Sequence, residues 1–139
     1  MKSVMAVWRD SAPYLLSVLR IIAAFLFIQV GTAKLFAFPG AVMPGGGTAP
    51  LMTQVGIAGL LETVGGAAIL VGWLTRPVAF ILSGEMAFAY LIGHAPMGFW
   101  PVLNMGTDAV LYCFLWLYFS AAGAGPWSVD FAVSRSSSK

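Results

Sequence analysis

Four apolar stretches, at roughly 14–37, 51–74, 77–95 and 103–122, come close to or exceed the ~20 residues an α-helix needs to cross a bilayer. No other feature constrains the fold so tightly. Inside lipid every backbone polar group has to be satisfied within the segment, so stretches of this kind become helices. The polar inventory agrees: 60% of the 139 residues are hydrophobic and 9% charged, against about 25% charged in soluble domains. A surface facing water on all sides cannot be built from that. The chain reads as all-α, a polytopic membrane protein with a four-transmembrane-helix bundle and short loops. It forms a single domain over 1–130, and the polar tail 131–139 is expected to be disordered.

The punctuation between the stretches fits. "FPGAVMPGGGTAP" separates the first two, "TRP" turns between the second and third with Pro77 suited to a helix start, and "GAGP" closes the fourth. Trp8, Tyr14, Trp73, Trp100 and Trp127 sit near the ends, as interfacial aromatics do. Four crossings put both termini and the "TRP" turn on one side. Lys2, Arg9, Arg76, Arg135 and Lys139 are on that side, whereas Lys34 stands alone on the other beside an uncharged 38–50 loop. The positive-inside rule then predicts both termini in the cytoplasm of a cell (inner) membrane protein. The first stretch is expected to stay attached rather than act as a cleaved signal, because Lys34 follows it at once and everything downstream is also apolar.

Several function classes drop out. A net charge of +2 without basic clusters points away from nucleic acid. One cysteine, Cys113, excludes an intrachain disulfide or a thiolate metal cluster. One histidine excludes bis-histidine haem within a chain, and no HExxH spacing occurs, so neither haem nor metal is expected. There is no GxGxxG, P-loop or GxSxG.

What remains is a balanced set of charges in apolar surroundings: Arg20, Lys34 and Arg76 against Glu62, Glu85 and Asp108, with His94 and Asn104 beside them. A charge at a span centre costs about 2.5–3.5 kcal/mol on insertion scales, so these groups have to face one another inside the bundle. At ~1.5 Å per residue, Arg20 lies ~9 Å and Glu85 ~12 Å from one end, and Glu62 ~16 Å from the other, which groups the three in one layer. Glu62 is therefore expected to face Arg20, whose guanidinium fork suits a carboxylate. Glu85, without a private partner, is the expected proton-exchanging group. Lys34, His94, Asn104 and Asp108 form a second layer near the outer face, where Lys34 either joins the site or snorkels to the headgroups. Asn104, Asp108 and Tyr112 share a helical face, as do Tyr90 and His94. His94 lies ~180° from Glu85 on an ideal helix, so the two meet only if the helix departs from α geometry. The many glycines of the second stretch read as helix-packing positions.

The residues "R…G31-TA-K34-L", "E62-TV-G65-G66-AAIL-V-G72-WL-T75-R76", "MAFAYLIGH", "N104-M-G106" and "G123-A-G125-P-W127-S128-V-D130" resemble the DoxX family of small four-helix membrane proteins, over about residues 18 to 130. The family commonly has Glu directly after the Gly of its N-x-G motif. Here Thr107 stands there and the acid comes one place later, at Asp108. The resemblance implies an integral membrane subunit of a redox-linked, quinone- or thiol/sulfur-associated system. It implies a quinone as cofactor, and a redox partner protein or homo-oligomer within the lipid bilayer. On that reading Glu85 and His94 are the catalytic candidates. Arg20, Glu62, Tyr90, Asn104, Asp108, Tyr112 and Lys34 bind a small amphiphile, with Arg20, Tyr90, His94 and Tyr112 as possible hydrogen-bond donors. A small-molecule or proton transporter, and a structural subunit without chemistry of its own, are the competing readings.

Overall fold

The computed structural model describes residues 3–137, and these are helical without a strand among them. Five helices follow in order: α1 (Val4–Phe36), α2 (Gln54–Val71), α3 (Thr75–Phe88), α4 (Thr107–Ala122) and α5 (Val129–Ser136). Beyond α3 the chain continues into a π-helical segment, Ala89–His94, and a 3₁₀ turn, Ala95–Met97.

Helix α1 begins at Val4 rather than near residue 14, because Ser3 caps it by accepting from the Ala6 N–H at 3.2 Å and Pro13 is carried within the helix. Its 33 residues extend ~50 Å, well beyond a ~30 Å hydrocarbon core. Apolar counting finds the part that lipid can hold, not where the helix starts. Among the described residues, three helical stretches are long and apolar enough to cross a membrane: Val4–Phe36, Gln54–Val71 and Thr75–Met97. Helix α4 is apolar but has 16 residues, ~24 Å. It starts after the expected residue 103, because Asn104 is taken up in the turn before it.

Helix α1 packs chiefly on α2, and α3 chiefly on α4, with α2 and α3 meeting over a smaller surface. Close approach of α1 and α2 depends on glycine. A Cβ on Gly31 would lie 2.7 Å from the Gly59 carbonyl oxygen and 2.7 Å from the Thr63 nitrogen, which a side chain cannot do. The buried core joins Ala24 and Phe27 of α1, Ile69 of α2, Leu82 and Met86 of α3, and Trp116 and Phe119 of α4. Phe27 is the link across the bundle, with its ring 5.2 Å from Trp116 and 5.0 Å from Tyr112. On the outside, Phe25, Leu26, Phe80, Ile81, Phe114 and Leu117 are exposed, the surface a lipid-facing bundle presents.

The tail departs from expectation. Residues 129–136 form a helix capped by Ser128, whose hydroxyl accepts from the Phe131 N–H at 3.1 Å. Asp130 in its first turn and Arg135 in its last complement the helix dipole, which suits a short helix held by its cap. Lys2 and Lys139, used in the orientation argument, lie outside the described residues, as does the end of the tail.

Candidate functional site

The expected Arg20–Glu62 pair does not form. Arg20 is fully buried, and its guanidinium donates to four backbone carbonyls: Ala124 at 2.8 Å, Ile69 at 2.5 Å, Trp127 at 2.5 Å, and Leu70. Ile69 and Leu70 belong to the last turn of α2, where the carbonyl ends and the helix dipole favour a cation. Two further contacts complete a clasp at this end of the molecule. The Asp130 carboxylate accepts from the Leu74 and Thr75 N–H groups at 2.8 and 2.9 Å, capping α3 from the far end of the chain. Arg76 in turn donates to the Ala121 carbonyl at the end of α4. Arg20 thus holds helix ends together through backbone carbonyls. Asp130 and Arg76 carry structural roles that sequence reading left unassigned, although both stand in the quoted motifs.

Glu62 pairs with Lys34 instead, Nζ to Oε1 at 2.5 Å. The depth argument placed Glu62 too deep. Helix α2 starts at Gln54, so Glu62 lies ~12 Å from its N-terminal end, and the four-carbon stem of Lys34 reaches it. Glu62 is 1% exposed, and its Oε2 has no hydrogen-bond partner among the described residues. Both carboxylate oxygens of Glu85 are likewise buried and unpartnered. The charges acting on Glu85 are those of Glu62 and Lys34. Glu62 and Glu85 are thus two carboxylates near the one ammonium of Lys34, rather than near the guanidinium of Arg20.

Glu85 lines a cavity of ≈ 440 Å³ between α2 and α3, together with Lys34, His94 and an apolar wall that includes Ala58, Leu61 and Ile92. Glu85 and His94 come to one cavity because the helix between them changes geometry. Over Ala89–His94 it widens to π, which reduces the rotation per residue and removes the opposition expected of an ideal helix. His94 places Nδ1 2.9 Å from the Asn104 carbonyl oxygen. Tyr90 donates its hydroxyl to the Phe99 carbonyl at 2.6 Å. Asn104 donates to the Gly98 carbonyl at 2.6 Å and accepts from the Gly106 N–H at 2.8 Å. Tyr90 and Asn104 thus hold the 98–106 turn.

Asp108 and Tyr112 lie elsewhere. They line a larger groove of ≈ 1130 Å³ between α1 and α4, rimmed by residues 39–44. Tyr112 stacks on Trp116 at 5.6 Å, and Asp108 sits exposed in the first turn of α4, where an anion complements the helix dipole. Lys34 borders both spaces. The expected single site is therefore divided: Glu85, Lys34 and His94 at the α2–α3 cavity with Glu62 paired to Lys34, Asp108 and Tyr112 at the α1–α4 groove, and Arg20 in the clasp.

Comparison with known proteins gives a family and no reaction. An "uncharacterized protein" of Haemophilus influenzae is 44% identical over 123 residues, covering 85% of this chain and 90% of that protein. No solved structure matches. The DoxX family profile matches residues 15–95, which hold α1 from Leu15 onward, α2, α3 and the π segment, and so every residue of the carboxylate cluster. The chain belongs to the DoxX family of membrane proteins.

Proposed function

We propose that the chain is an integral membrane subunit of a redox-linked system, binding a small amphiphilic molecule in the α2–α3 cavity and exchanging a proton with it through Glu85. The observation that carries this reading is the Glu85 carboxyl group, buried without a hydrogen-bond partner among the described residues at an apolar cavity. A buried polar group left unsatisfied costs about 1–3 kcal/mol, so a bound head group that satisfies it adds affinity. The cavity volume falls in the range of small-molecule sites.

A quinone fits this donor set modestly. Lys34 keeps N–H groups beyond the one directed at Glu62, and a protonated Glu85 supplies an O–H, so two ring oxygens can be held. When bound, such a group supplies the electron carrier that the side chains lack, and a partner protein delivers the electrons. The chain's own part is to bind the head, keep water out with the apolar wall, and hold or release the proton on Glu85. Helix α4 acts as the fourth crossing in this reading, with both termini cytoplasmic.

Extraction of organic compounds from protein purified in mild detergent tests the reading. A near-stoichiometric amphiphile is expected, and Ala58→Phe, which fills the cavity, is expected to lower its occupancy roughly tenfold with little change in Tm. Occupancy unaffected by Ala58→Phe overturns the assignment to this cavity.

A further inference from the structure

The donors expected for a neutral head are largely committed elsewhere. Arg20 is bound to carbonyls of the clasp, Tyr90 to Phe99, and Tyr112 lies in the other groove. His94 has its Nδ1 hydrogen on the Asn104 carbonyl, which leaves Nε2 an acceptor in the neutral imidazole. What faces or backs the cavity is acceptor-rich: both Glu85 oxygens and Glu62 Oε2, all unpartnered among the described residues, against the single ammonium of Lys34. Counting formal charges, two carboxylates and one ammonium leave one negative charge unbalanced in low dielectric. Something positive has to balance it, and the least demanding candidate is a proton on Glu85.

We infer that the α2–α3 cavity also accepts lipophilic cations, whose charged head takes the place of that proton beside Glu85. The proposal rests on the reading of this cavity as a ligand site and differs in the charge of the head. The exchange balances simply. The Glu85 O–H bond breaks, its proton goes to water, and the carboxylate left behind forms an ion pair with the cation; no electron moves. The apolar wall of Ala58, Leu61 and Ile92 suits the body of such a ligand, and Phe88, which also lines the cavity, offers a ring face to a cation. The groups that bear on the exchange are Glu62 from α2, Lys34 from α1 and His94 from the π segment. From α4, Asp108 and Tyr112 face the separate groove.

The test uses the full chain in an uncharged detergent with three probes: tetraphenylphosphonium, the anion of the same shape tetraphenylborate, and menadione as a neutral quinone. Calorimetry gives affinity, and a pH indicator in weakly buffered solution gives proton release. Tetraphenylphosphonium is expected to bind at least ~10-fold more tightly than tetraphenylborate and to release up to about one proton per bound cation. Glu85→Gln is expected to abolish that release and weaken cation binding roughly tenfold or more, while Glu85→Asp retains the release. Proton release that survives in a folded Glu85→Gln overturns the proposal, as does equal binding of cation and anion. If menadione binds in a Glu85-dependent way and the cation does not, the inference fails and the cavity reading stands. If neither depends on Glu85 or on filling the cavity, both fail.

Discussion

Neutralising Lys34 or Glu62 alone leaves the other charged in the bundle, whereas neutralising both removes the problem together. Breaking a buried pair from one side costs about 3–5 kcal/mol in soluble proteins. Lys34→Met and Glu62→Gln are each expected to lower stability by roughly that amount, and the double variant to recover much of it; additive losses in a thermal or denaturant titration would show that the pair is not coupled. The sequence grouped Glu62 and Glu85 at similar depth, but it assigned Glu62 to the wrong cation for an identifiable reason. Every residue carries a backbone carbonyl, so the carbonyls that engage Arg20 leave no mark in the residue pattern, while the one visible carboxylate at similar depth looks like its natural partner. Glu85 stood out as the group without a private partner because its approximate depth sets it beside another carboxylate, and that needs no exact helix register.

At the scale of elements, the helix ends are the part that long-range contacts decide. Asp130 caps α3 across 55 residues of chain, and caps of this kind contribute about 0.5–2 kcal/mol. Asp130→Ala is expected to lower the Tm in detergent by the equivalent of roughly 1–2 kcal/mol, whereas Arg135→Ala on the same helix should change it by less than about 0.5 kcal/mol. Equal effects at the two positions would remove the case for the clasp. Helix bodies were legible because apolar runs and glycine breaks report them directly. The starts of α1 and α4 were not, since one extends beyond its apolar run and the other gives way to a turn built by Asn104. The π widening of Ala89–His94 was legible only as a condition, namely that Glu85 and His94 share a site only if the helix is irregular between them.

For the whole molecule, the charge distribution of the sequence predicts its direction in the membrane. A reporter fused at the C-terminus is expected to be active only in a form that works in the cytoplasm, and a cysteine placed in the 38–50 loop to label from outside intact cells. Labelling of that loop only after the cells are opened would reverse the orientation. The two ends of the bundle also differ mechanically. One holds the short turn between α2 and α3, the guanidinium of Arg20 and the Asp130 cap; the other holds the two longer connections and the carboxylate cavity. The α1–α2 and α3–α4 hairpins thus resemble a pair of tongs, riveted at one end and free at the jaws. On the proposed reading, a guest would reach Glu85 from the jaw end, while the contacts of Arg20 and Asp130 hold the other end together.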